Sequence, residues 1–234
     1  RLYTREKLYR EIRSQLMRAP GERYLLVMGN VLNFQLINKL YGVDGGNRIL
    51  VGIGDILRSQ CTHEEVYGRY RDDRFLVLVR KDKFSERLFI DQLQRVCELI
   101  SSPIYSIRAQ LGVYEIEDAD MPITNMIDHT ELALKSIRDN TQVRVAWFEP
   151  GMLRRKLMDQ HVIAEFERAL SQGDFHIYLQ PQVRQDGHIH GAEALVRWIR
   201  PDGTAVLPME FLGVLHQSEL LSHLDAYVWE QAVK

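Results

Sequence analysis

Between Tyr178 and Trp198 two apolar runs flank a short polar stretch, and the second run carries a carboxylate, Glu193, between two alanines. The first run ends at Gln180-Pro181, and Gly187 with its polar neighbours supplies a turn. This pattern predicts a hairpin of strands at 175–182 and 189–198. Glutamate is depleted from strands and rarely buried unless paired, so Glu193 among Ala192, Ala194 and Leu195 needs a cation to meet. Strand alternation puts Glu193, Leu195 and Arg197 on one face. A metal-binding carboxylate and an anion-binding guanidinium would then line one pocket, which suits a phosphate ester held on a metal. The plain alternative is a strand whose Glu193 and Arg197 simply pair with each other.

The chain before this hairpin reads as a separate unit. Leu8, Ile12 and Leu16 recur every four residues and predict a helix over 2–17, broken at Pro20-Gly21. Tyr24 to Met28 is a buried strand, followed by helical patterns at about 34–41 and 44–59. Val66 to Tyr70 and Phe75 to Val79 read as strands of a hairpin separated by the four residues Arg71-Asp72-Asp73-Arg74. A helix over 84–100, a strand over 104–114, a helix over about 123–139 and a strand over 143–148 complete the unit. Glu149-Pro150-Gly151 marks a boundary, and a helix over about 152–172 leads into the second hairpin. Mixed strands and helices with a hairpin predict an α+β fold, one sheet flanked by helices, with domains at 1–150 and 151–234.

Composition removes several classes of function. Thirty basic against thirty-two acidic residues leave a net charge of −2, which gives no electrostatic footprint for nucleic acid or an anionic membrane. No apolar run reaches the 18 or so residues of a spanning helix, and no signal peptide is evident, so a cytoplasmic location is expected. Cys61 and Cys97 are isolated and are expected as reduced thiols. Arg154-Arg155-Lys156 reads as a solvated helix face, and His188-Ile189-His190 as a solvated hairpin edge rather than a metal site.

The second hairpin resembles the start of the EAL domain, the bacterial phosphodiesterase that opens cyclic di-GMP. Glu193-Ala194-Leu195 is the hallmark, with Val196-Arg197-Trp198 after it and Gln180-Pro181 and Gly191-Ala192 before it. Pro201-Asp202-Gly203, Pro208-Met209-Glu210-Phe211 and Leu224-Asp225 before a helix continue the match. The resemblance implies that Glu193 binds Mg²⁺ or Mn²⁺, that Arg197 holds phosphate, and that Gln180 and Leu195 touch the nucleotide. A complete EAL domain resembles a (β/α)₈ barrel of about 250 residues, so residues 151–234 are expected to be a part that cannot close a barrel. The family's other metal acids, its catalytic Lys and the acid that assists water belong to later strands. No cofactor and no phosphodiesterase activity are therefore expected of residues 1–234 alone, and uncovered apolar residues (Val183, Ile189, Leu195, Trp198) are expected to drive self-association.

Residues 1–150 resemble a GGDEF domain, the diguanylate cyclase module that often precedes EAL. Phe34-x-x-Ile37-Asn38, Tyr41-Gly42-x-Asp44-x-Gly46, Arg69-Tyr70, Phe75 and Leu111-Gly112-Val113 carry the match in order. Departures decide the chemistry. The family's metal-binding Asp at the end of the first strand is Asn30 here, a poorer ligand for Mg²⁺, which takes hard oxygen ligands and favours carboxylates. Gly-Gly-Asp-Glu-Phe becomes Arg71-Asp72-Asp73-Arg74-Phe75, so the glycines that admit the nucleotide are lost and the acid beside metal-bound phosphate is a guanidinium. The guanine-contacting Asp falls on Asn47, Asn38 is kept, and the inhibitory Arg-x-x-Asp falls on Thr62-His63-Glu64-Glu65.

These changes are expected to abolish cyclisation, leaving a structural scaffold or a site that binds GTP without turnover through Asn38, Asn47, Arg71, Asp73 and Arg74. The whole protein is expected to hydrolyse cyclic di-GMP through its EAL half. The alternative is a receptor or protein-interaction module with both domains inactive.

Overall fold

The computed structural model describes residues 5–61, 64–98, 108–138, 140 and 142–233. They divide after Leu153 into two compact units.

In the first unit a five-stranded sheet runs in the order β2-β3-β1-β4-β5. The strands are β1 (Tyr24–Val31), β2 (Val66–Arg71), β3 (Arg74–Arg80), β4 (Ala109–Glu115) and β5 (Val145–Trp147). Pairing is antiparallel except between β4 and β5. The central strands are apolar on both faces because both are covered. Leu25, Val27 and Val31 pack with α2 (Phe34–Gln60) and α3 (Glu86–Glu98). Tyr24, Leu26 and Met28 pack with α1 (Arg5–Arg18) and α4 (Ile123–Ser136).

Elements arise where apolar spacing and breakers place them. Leu8, Ile12 and Leu16 form the buried stripe of α1. The two helical patterns expected across 34–59 are one helix kinked at Gly42, whose φ of 71° is outside the helical range. The expected strand from Ile104 begins in the described residues at Ala109, and Thr62-His63 lie outside them.

The second unit begins within α5 (Pro150–Gln172). β6 (Phe175–Val183), β7 (Ile189–Ile199) and β8 (Ala205–Val206) form an antiparallel sheet in that order, with no closed barrel among the described residues. Helices α6 (Pro208–Gln217) and α7 (Leu221–Ala232) follow. Leu224-Asp225, expected before a helix, lie inside α7. Trp198 was expected to lack cover, but it is fully buried against Phe175 and Phe211 within its own unit. Phe166 of α5 and Leu224 of α7 close the same cluster. Val183 and Ile189 do remain exposed.

Candidate functional site

The end of β1, the β2–β3 turn with the start of β3, and the start of α2 line a cleft of about 1010 Å³. Asn30, Asn38, Asn47, Arg71, Asp73 and Arg74 all line it, so the sheet gathers the residues picked out in the first 150 positions. The hairpin at its mouth is tighter than its sequence suggested. Arg71 and Arg74 face each other across the ladder, leaving a two-residue turn, Asp72-Asp73. Asp72 takes the left-handed conformation (φ 44°), which aspartate tolerates better than most residues, and Arg69 Nε donates to its carbonyl at 2.7 Å.

Side-chain direction follows from the pleat. Arg74, Leu76 and Leu78 share the β3 face that packs on α1 and α4, as Leu26 and Met28 do on β1. Arg74 therefore points toward α4, where Glu131 is buried. Glu131 Oε1 accepts from Arg74 Nη1 and from Arg71 Nη2, each at 2.8 Å, and Lys135 Nζ lies 3.9 Å from Oε2. The close approach of α4 depends on Gly112. A Cβ there would overlap the Thr130 carbonyl and lie 2.8 Å from Leu134 Cβ. Gly112 thus brings the residue after Thr130 within reach of the arginines.

The remaining groups are fixed locally. Asp73 Oδ2 accepts the Val31 N–H at 3.1 Å, and burial raises its pKa above the usual aspartate value against the pull of that bond. Asn38 packs over Gly46, where any Cβ would overlap its Oδ1. Gln110 is buried, and its Nε2 lies 2.9–3.1 Å from the carbonyls of Ile137, Asn140 and Val143, tying down the chain after α4.

This cleft does not fit a divalent metal. Asn30 contributes a neutral amide, Asp73 is engaged with the backbone, and Arg74 brings positive charge to the position of an acid. No group of three His, Cys, Asp or Glu side chains gathers as a metal site among the described residues.

On the second hairpin the register pairs Gln180 with Glu193, Tyr178 with Leu195 and His176 with Arg197. Opposed residues share a face, so Gln180, Glu193, Leu195 and Arg197 stand together. Glu193 is exposed rather than buried. Arg197 Nη1 lies 2.9 Å from the Val196 carbonyl, and no Glu193–Arg197 ion pair forms among the described residues. The plain reading of a self-paired strand therefore fails. The opposite face, with Phe175 and Trp198, turns to the helices. Arg200 extends this anchoring by stacking on Trp198 and meeting Glu165 Oε2 of α5 at 3.0 Å.

Sequence reasoning overlooked Glu131, Lys135 and Arg138. Glu131 carried a usable signal: Ile127, Thr130 and Leu134 form a buried helix face that places an acid where only a cation can satisfy it.

The model of the GGDEF domain of diguanylate cyclases matches residues 1–144, and that of the EAL domain matches residues 163–234. The chain belongs to the GGDEF family and carries an EAL segment after it. Cyclic di-GMP phosphodiesterase NbdA of Pseudomonas aeruginosa is 24% identical over 224 residues, 93% of this chain and 28% of that protein. Cyclic di-GMP phosphodiesterase PdeR of Escherichia coli is 24% identical over 203 residues, 84% of this chain and 30% of that protein. The chain thus spans less than a third of these relatives. The S helix-GGDEF-EAL structure of Vibrio cholerae LapD, bound to c-di-GMP, aligns over 99% of this chain and 55% of its own, with a TM-score of 0.54 and 16% identity. The active GGEEF domain of a Vibrio cholerae diguanylate cyclase covers 64% of this chain and 99% of its own, with a TM-score of 0.50 and 19% identity. No helix among the described residues is long and apolar enough to cross a membrane.

Proposed function

We propose that the chain is part of a bacterial cyclic di-GMP signalling protein whose GGDEF half does not cyclise GTP and whose EAL half hydrolyses cyclic di-GMP in the whole protein. The observation that carries the first claim is Arg74 seated on buried Glu131 where the family has a metal-side acid. Phosphoryl transfer there would depend on a metal to position and neutralise phosphate, and the cleft has an amide, Asn30, and a guanidinium, Arg74, at the positions of that metal's acids. Incubating the 1–234 chain with GTP and Mg²⁺ or Mn²⁺ is expected to yield no cyclic di-GMP. Product above a no-enzyme control overturns the claim.

For the EAL half, Glu193 is the metal ligand, for Mg²⁺ or Mn²⁺, Arg197 holds phosphate, and Gln180 and Leu195 contact the nucleotide. Their placement on one face of the β6–β7 ladder supports these roles, as do the names of the relatives. A single carboxylate binds such an ion weakly, so residues 1–234 alone hold no tight metal and do not open cyclic di-GMP. In the whole protein, Glu193→Gln is expected to abolish linearisation of cyclic di-GMP, while Arg197→Ala mainly weakens substrate binding. Retention of most of the rate by Glu193→Gln would remove Glu193 from the role of metal ligand, whereas no hydrolysis by the unmutated whole protein would favour the receptor reading, in which neither domain is catalytic. The protein works in the cytoplasm, and exposed Val183 and Ile189 support self-association, which light scattering at tens of micromolar tests.

A second reading is favoured by the cleft itself: an open, cation-lined volume of about 1010 Å³ that retains Asn38 and Asn47 supports GTP binding without turnover.

A further inference from the structure

The charge around the cleft is lopsided. Lys39, Arg69, Arg71, Arg74, Lys135 and Arg138 line it, against Asp72 and Asp73. Glu131 is the acid at which three of those cations converge. We infer that the cleft binds a triphosphate without any divalent cation, and that Glu131 is an internal anion with which the triphosphate competes for the arginines. The inference rests on the reading that the cleft still takes a nucleotide, and it adds how the phosphates are held and what regulates access to them.

Three observations support it. First, one carboxylate oxygen accepts from two guanidinium groups at 2.8 Å, so a single negative charge serves Arg71 and Arg74 together while Lys135 approaches its other oxygen. Each guanidinium has five N–H donors and gives one of them to Glu131. Second, the two arginines differ in freedom. The Arg74 side chain is 22% exposed and Arg71 is 51% exposed, so Arg71 can swing to a ligand while Arg74 stays close to α4. Third, the fold itself sets Glu131 beside the arginines, because α4 packs so closely on Gly112 that a Cβ there would overlap the carbonyl of Thr130, the residue before Glu131. The internal anion and the ligand therefore compete for the same donors. A free triphosphate carries its own high negative charge and normally needs a metal to offset it. Six basic side chains supply that offset here, and arginine does so with a planar fork matched to phosphate.

Calorimetry on the 1–234 chain with GTP, ATP and inorganic tripolyphosphate, each in EDTA and in excess Mg²⁺, tests the inference. Binding in EDTA that Mg²⁺ leaves equal or weaker is expected. Arg74→Ala should weaken it about ten-fold, the loss of a charge-assisted bond, and Glu131→Gln should tighten it several-fold. Comparable affinity for tripolyphosphate would locate recognition in the phosphates, whereas binding of GTP alone would place it in the base and overturn the arginine account. Binding only with Mg²⁺ overturns the inference while leaving nucleotide binding intact, and no binding in either buffer removes both. Weaker binding by Glu131→Gln also overturns it. If that variant fails to fold, exposed Arg71→Ala carries the test, and it must weaken tripolyphosphate binding in EDTA.

Discussion

The sheets of the two units use opposite ways of presenting polar chemistry. In the first unit β1 is buried along nearly its whole length, and polar residues enter only at its end, at Asn30. In the second unit β6 is buried at Phe175 and open from Tyr178 onward, so Gln180 stands on the sheet itself, opposite Glu193. A sheet covered on both faces leaves only strand ends and connecting turns for a site. A sheet covered on one face can carry a site along the other. The same contrast explains why the first unit's charges pair internally, with Glu131 under two arginines, whereas Glu193 and Arg197 stay apart.

The largest effect that tests this contrast is expected from Trp198→Ala. It removes a fully buried indole from the apolar cluster under the second sheet, a loss of about 3–5 kcal/mol. Chemical denaturation followed by hydrogen exchange should show the second unit losing protection while the first keeps its own. Equal loss in both would mean that the units do not fold separately. Next comes Gly112→Ala, which forces α4 off β4 and should cost about 1–3 kcal/mol in the first unit. It should also part Glu131 from Arg74, and no change in stability would show that α4 has slack.

Two smaller effects follow from titration. His129 stacks on Phe148 at 4.1 Å between ring centres, and burial lowers its pKa below the usual histidine value of 6.5. A base with a depressed folded pKa contributes stability above its unfolded pKa and loses it as pH falls. Melting of the first unit should therefore drop between pH 7 and pH 5, and His129→Phe should flatten that drop. Asp73 runs the other way. With its pKa raised by burial, its contribution is greatest below the unfolded value of 3.8 and is lost as pH rises above it. Asp73→Asn, which keeps an acceptor for the Val31 N–H, should raise the melting temperature by about 1–2 °C at pH 7 and by less near pH 4. A lower melting temperature at pH 7 would show that the charge itself matters to the turn.

Much of this fold could be read from the chain. The periodicity of Leu8, Ile12 and Leu16, the break at Gly42 and the paired runs around Gly187 are local signals, and each falls where the structure has an element. The departures Asn30, Arg71 and Arg74 were likewise legible, because they sit in motifs with fixed order. The Glu131 clamp was not, since it joins residues 57 and 60 positions apart and depends on the missing Cβ of Gly112. The two-residue strand β8 is too short to carry a pattern. Cover for Trp198 was missed because it comes from Phe211 and Leu224, which lie outside the hairpin's own pattern.

The β6–β7 ladder skips a residue at its turn end, where Gln182 pairs with Gly191 but Val183 pairs with Ile189. That bulge separates the turn from the ladder that holds Gln180 opposite Glu193. The hairpin should therefore tolerate insertions and deletions unequally. A residue added between Arg184 and His188 can be absorbed before the ladder begins. A residue removed between Glu193 and Trp198 lies inside the ladder and cannot be absorbed there: it would put Glu193 on the same face as the buried Trp198.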